Sequence, residues 1–188
     1  MIIKMKPSEI FLLMLSAAEG KISSKTLVQK RAYFLNLLLE LGLSYKPHYY
    51  GPYSSDLDAT IGQCKALGLV EQKTIGFGMD RGTGFEVRRF DFILTLDGQA
   101  VVDDLKKRKP AECRRVLDGL SKLSVAGDND YVSLSIAAKT FHILKESKRP
   151  LYPDEIINEA KQLGWEISQE SIDHAVSFLA KLGLLSKN

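Results

Sequence analysis

Apolar residues recur at three- and four-residue intervals through most of this chain, and two β-rich stretches near its middle interrupt that rhythm. The run Ile10-Phe11-Leu12-Leu13-Met14-Leu15 predicts a first helix over Ser8 to Ala18, with Ser8 as N-cap, Glu9 at its positive end and Gly20 closing it. A turn through Ile22 and Ser23 leads to a longer helix capped by Ser24. Leu27, Val28, Ala32, Leu35, Leu38, Leu39 and Leu41 form its stripe and Gly42 stops it. Lys25, Lys30 and Arg31 fall largely off that stripe, on a face expected to be solvated. His48-Tyr49-Tyr50 reads as a short aromatic strand and Gly51-Pro52 as a turn. Ser54 or Ser55 then caps a third helix, which buries Leu57, Ile61, Cys64 and Leu67 and ends at Gly68.

Val70 to Ile75 and Phe85 to Leu94 are strand-like, and the Gly-rich segment from Gly76 to Gly84 predicts a long hairpin tip between them. Thr95 caps the next helix, which carries Val101, Val102 and Leu105. Pro110 opens another bearing Val116, Leu117, Leu120 and Leu123. Ala126-Gly127-Asp128-Asn129-Asp130 is the expected linker. Beyond it come helices over Tyr131 to Glu146, from Pro153 to Gly164, and from a Ser168 cap through Ile172, Val176, Leu179 and Leu182.

This order predicts a mainly α fold with a small β-hairpin wing, built as tandem winged-helix or helix-turn-helix units. Residues 1–125 form a winged helix with a helical dimerisation extension. Residues 126–188 form a winged-helix-like helical unit whose wing is missing or a stub. Leu67-Gly68-Leu69 and Leu182-Gly183-Leu184 end corresponding helices of the two units.

At 188 residues, 45% hydrophobic and 26% charged, the chain has enough apolar material for one or two ordinary cores. The net charge of +3 decides little, but its distribution is uneven: 19 Lys and Arg face 14 Asp and Glu through Ser124, and 7 face 9 thereafter. Cys64 and Cys113 have no paired spacing, which fits a reducing, cytoplasmic setting and gives no zinc motif. Pro7-Ser8-Glu9 argues against a secretory signal, and no apolar run approaches the roughly 20 residues that span a bilayer.

Leu27-Val28-Gln29-Lys30 through Tyr33 and Leu35, then Tyr45, Tyr49-Tyr50-Gly51-Pro52-Tyr53-Ser54, Leu57, Ile61, Leu67 and Gly68, resembles the YwgA-like prokaryotic family over roughly residues 21–105. It is more distantly similar to the Panacea domain of SocA-like antitoxins, which shares a Gly-Pro element before a helix. Phe90 to Gly98 is similar to the strand-to-helix passage after the wing in PadR- and MarR-type regulators. That likeness implies a homodimer built by the helix beyond the wing.

A winged helix places its third helix in the major groove of double-stranded DNA and holds phosphates with its wing. Ser55, Thr60, Gln63 and Lys65 are therefore the expected reading residues, with Lys73, Arg81, Arg88 and Arg89 of the wing as their basic partners. Lys25, Lys30, Lys106, Lys107 and Arg108 are further candidate phosphate contacts, and Arg114-Arg115 extends the basic run. Asp56 and Asp58 suit the helix dipole but repel a phosphate at that end. The alternative is a protein-interaction module, antitoxin-like or an adaptor. In that case the acidic face of the third helix or the tyrosine turn meets a partner. Tyr49, Tyr50 and Tyr53 are otherwise expected to pack the second helix against the third. Trp165 should pin the C-terminal unit to its neighbour, the alternative being an effector pocket between the units. His48, His142 and His174 lie in separate segments without a catalytic or metal-binding spacing, so no catalytic residue, metal or cofactor is expected.

Overall fold

The computed structural model describes residues 5–79, 86–128 and 130–185. Helix α1 (Pro7–Ala17) buries six consecutive residues, Ile10 to Leu15, and is enclosed by the helices Ser55–Ala66, Leu96–Arg108 and Pro110–Ala126 and by the strand Glu86–Leu94. A helix apolar all round belongs at the centre of a core rather than on its surface. Its N-cap is Lys6, not Ser8. Pro7 takes the first helical position and the Glu9 carboxylate accepts the Lys6 N–H at 2.8 Å.

The expected turn at Ile22 and Ser23 is a strand, β1 (Lys21–Ser23), too short to show an alternating pattern. It pairs antiparallel with β3 (Glu86–Leu94), placing Ile22 opposite Phe92. Strand β2 (Val70–Met79) pairs antiparallel with the other edge of β3, giving the order β1-β3-β2. β2 thus continues past Ile75 into the segment expected to be hairpin tip.

Helix α2 (Lys25–Leu39) is capped by Ser24, whose Oγ accepts the Leu27 N–H at 3.4 Å. It stops before Gly42, at Glu40, which itself adopts a left-handed conformation with φ 54°. No strand forms at His48–Tyr50. The segment is a loop whose Lys46 and Tyr53 make one isolated bridge, with Gly51 at φ +89° allowing the tight turn. Ser54 is the cap of α3 (Ser55–Ala66), accepting the Leu57 N–H at 3.3 Å. Leu57, Ile61 and Cys64 are buried as expected, but Leu67 is 71% exposed because the chain turns away there.

Thr95 caps α4 (Leu96–Arg108) through a 3.0 Å bond from the Gly98 N–H, and its hydroxyl donates to Gly68 O at 2.8 Å. A side chain at Gly98 would put its Cβ 2.2 Å from Leu69 O, so glycine is what lets α4 lie against the end of β2. Helix α5 (Pro110–Ala126) follows directly.

The described residues of the expected linker, on either side of residue 129, are anchored. Gly127 (φ +107°) ends α5, buried Asp128 binds Arg31 Nε at 2.7 Å, and the Asp130 carboxylate accepts the Val132 and Ser133 N–H groups. Three further helices follow: α6 (Tyr131–Ser147), α7 (Pro153–Gln162) and α8 (Gln169–Lys181). On α8, Ala175 and Phe178 join Ile172, Leu179 and Leu182 in the core, while Val176 is partly exposed. One hydrophobic cluster draws on both sides of residue 126, from Met5 to Leu182. A smaller one gathers Ile143, Ile156, Ala160, Trp165 and Ile172. The result is a mainly helical chain around a small three-stranded sheet.

Candidate nucleic-acid interface and the groove beside it

Helix α3 turns Leu57, Ile61 and Cys64 inward and leaves a strip of short side chains, Ser55, Ala59, Gly62, Gln63 and Ala66, in solvent along its length. Ser55 and Gln63 are thus displayed as expected. Lys65 is exposed too, its Nζ donating to Gln72 Oε1 on β2 at 2.7 Å. Thr60 is not: it is 8% exposed and its hydroxyl donates to Asp56 O at 2.8 Å, closing on the preceding turn of its own helix.

On the hairpin, Lys73 and Arg88 are exposed. Arg89 is engaged with buried Asp91, its Nε 2.8 Å from Oδ1, and Lys21 Nζ reaches the other carboxylate oxygen at 3.1 Å. Burial works against charge on Asp91, but the bonds from Arg89 and Lys21 prevail and hold its carboxyl below the usual range. Arg81 lies outside the described residues. Lys25 is ion-paired with Asp58 at 2.6 Å, which draws one of the two acids of the α3 first turn into a local pair.

Lys30 overturns the expectation of a solvated face. It is 1% exposed and its ammonium donates to Pro52 O at 2.6 Å. Burial, and then the nearby Lys139 charge, lower its pKa to about 7. It is therefore withdrawn as a phosphate contact. Its neighbour Gln29, also buried, clasps the residue that caps α3: its Nε2 donates to Ser54 O at 3.0 Å and its Oε1 accepts the Ser54 N–H at 2.9 Å. From the far side, the buried Trp165 indole donates to His48 O at 2.8 Å, as its expected pinning role requires. These bonds fix the Gly-Pro turn between α2 and the C-terminal helices. The inward-facing roles of Gln29 and Lys30 are not among the expectations from sequence. The available signal was Tyr33 and Phe34, four residues on along the same helix faces, both buried.

The fixed turn forms one wall of a groove of about 720 Å³. The first turns of α2 contribute Ser24, Lys25, Thr26, Gln29 and Lys30. The turn contributes His48, Tyr50 and Tyr53, the hairpin Phe77, Arg88, Arg89 and Phe90, and the start of α6 Tyr131. His48 and Tyr53 stack at 5.0 Å, and the Arg89 guanidinium lies 5.5 Å from the centre of the Phe77 ring. Tyr49 and Tyr50 do not pack α2 against α3. They meet edge to face at 4.9 Å and are 71% and 50% exposed.

Away from this region, Lys107 and Arg108 are exposed at the end of α4 and Lys106 is half-buried. Arg108 pairs with Asp104 one turn earlier, and neighbouring Lys109 with Glu9 at 2.9 Å. Among the described residues no group of acidic, histidine or cysteine side chains could hold a metal ion, and no helix is long and apolar enough to cross a membrane. No protein-family model matches the chain, and a search of curated proteins finds no match.

Proposed function

We propose that this chain is a non-catalytic winged-helix protein that engages double-stranded DNA in a regulatory role, in the cytoplasm. The observation that carries the reading is the succession α1, β1, α2, α3, β2, β3 with sheet order β1-β3-β2, in which α3 presents a solvent-facing strip beside an extended hairpin. Helices α6 to α8 repeat the helical part of that plan without a following strand among the described residues. Fold alone does not fix a target, so the contacts matter. On this reading Ser55 and Gln63 face base edges, with Lys65, Lys73 and Arg88 holding phosphates, while Asp56 limits how closely the start of α3 approaches. Exposed Leu96 and Val101 on α4 support a homodimer formed through the helices beyond the hairpin.

Three phosphate contacts predict a modest salt dependence, about a fortyfold loss of affinity between roughly 50 and 200 mM salt. Titration of a mixed duplex pool with the folded protein checks this. Lys65→Gln with Lys73→Gln should flatten the salt slope by about two contacts. Absence of binding at low salt removes DNA as the direct target.

A second reading, recognition of a protein partner, is favoured by Tyr49 and Tyr50, two exposed rings on a turn whose backbone is held from both sides. Rigid aromatic side chains of that kind suit an interface anchor.

A further inference from the structure

Among the described residues five Phe and Tyr rings stand exposed: Tyr49, Tyr50, Phe77, Tyr131 and Tyr152. Three of them, Tyr50 from the Gly-Pro turn, Phe77 from β2 and Tyr131 from the start of α6, line the one groove beside that turn. We propose that this groove is a binding site for a small planar aromatic molecule, recognised through its ring system rather than its charge.

Convergence is the first argument. Phe77, Tyr50 and Tyr131 are 60%, 50% and 45% exposed, although they come from three elements far apart in the chain. Large apolar groups left in solvent singly are ordinary, but several gathered around one concavity mark a surface that something covers. Tyr53 and Phe90 add further rings to its wall. The volume of about 720 Å³ lies within the roughly 300–1,000 Å³ usual for small-molecule sites, whose lining is mostly apolar and aromatic.

The second argument is what the polar groups of the wall are already doing. Lys25 pairs with Asp58, Arg89 pairs with Asp91, and Lys30 is buried with its ammonium on Pro52 O. These cations are committed within the fold. What remains for a ligand is ring contact, and rings favour offset-stacked or edge-to-face partners over saturated carbon of the same shape.

The third is that the rings are held before any ligand arrives. Tyr53 stacks on His48 at 5.0 Å, Tyr50 stands edge to face on Tyr49 at 4.9 Å, and the Arg89 guanidinium lies 5.5 Å from the centre of Phe77. Gln29, Lys30 and Trp165 fix the backbone of the turn beneath them. Little ordering cost therefore falls on binding.

The test titrates the full chain with two uncharged probes, 2-naphthol and its saturated counterpart 2-decalol, by ligand-observed NMR and calorimetry. The two share a skeleton and a hydroxyl, so only the aromatic contacts separate them. Naphthol should bind about tenfold tighter, the amount expected of two ring pairs. Tyr131→Ala and Tyr50→Ala, both at exposed positions, should each weaken naphthol about threefold or more, whereas Tyr152→Ala, which removes an exposed ring outside the groove, should not. Lys65→Gln with Lys73→Gln, neither of which lines the groove, should leave naphthol binding intact, so this site stands or falls separately from DNA binding. The proposal is overturned by equal or tighter binding of decalol, by a Tyr131→Ala variant indistinguishable from Tyr152→Ala, or by no naphthol binding at about 2 mM.

Discussion

Residues 44–54 and residues 106–109 are both short polar stretches rich in charge or hydroxyl groups, and they meet opposite fates. The first has almost no regular backbone pairing, yet four hydrogen bonds with distant side chains hold it: two with Gln29, one with Lys30 and one with Trp165. The second spans the junction of two regular helices, where Lys107 and Arg108 remain in solvent and Lys109 reaches Glu9. Regular secondary structure is thus a poor guide to where this protein is most constrained. A loop in which the backbone groups of His48, Pro52 and Ser54 are answered by long side chains from elsewhere can be more tightly specified than a helix end, because each such group left unanswered would carry a desolvation cost.

The largest test of that contrast is Gln29→Ala. It leaves the N–H and C=O of buried Ser54 without their partners, and about 3 kcal/mol of stability should disappear. Urea unfolding measures it, and a loss under about 1 kcal/mol means the turn is not the constrained element described above.

Lys30 gives the next largest effect, and it depends on pH. Its native pKa is lowered from the ordinary 10.5 to about 7, so between those values the unfolded chain binds a proton that the native chain does not. Stability therefore rises with pH across that window, by up to about 1.4 kcal/mol per pH unit, and Lys30 adds no slope below it. Lys139, also lowered, chiefly by burial, works in the same direction. Tyr33 and Tyr45 are raised by burial, and they reverse the trend above the ordinary tyrosine range. Unfolding midpoints at about pH 7.5 and 9.5 should separate by about 2 kcal/mol in the parent, and by clearly less in Lys30→Met.

The smallest effect belongs to the basic run. Arg108→Ala breaks an exposed pair within one helix and should change stability by less than about 0.5 kcal/mol. A larger loss would erase the distinction between the two regions.

Most elements and many of their ends follow from local signals in the chain. Ser24, Ser54, Thr95 and Ser168 cap the helices expected of them, and Pro110 and Pro153 open theirs, because capping and helical periodicity act within a few residues. Strand β1 was illegible, since three residues acquire strand character only from their partner β3. The exposure of Ser55, Gln63, Lys65, Lys73 and Arg88 was legible in the sequence. The burial of Thr60 and Lys30 was not, because it depends on how the chain packs around them. Folding alone brings Gln29 and Lys30 inward, leaves Tyr49 and Tyr50 outward, and gathers residues from α2, the turn, the hairpin and α6 around one groove. The physical reason is that burial and ion pairing belong to pairs of groups far apart in the chain. A lysine is solvent-facing or structural according to whether a carbonyl such as that of Pro52, 22 residues away, comes to meet it.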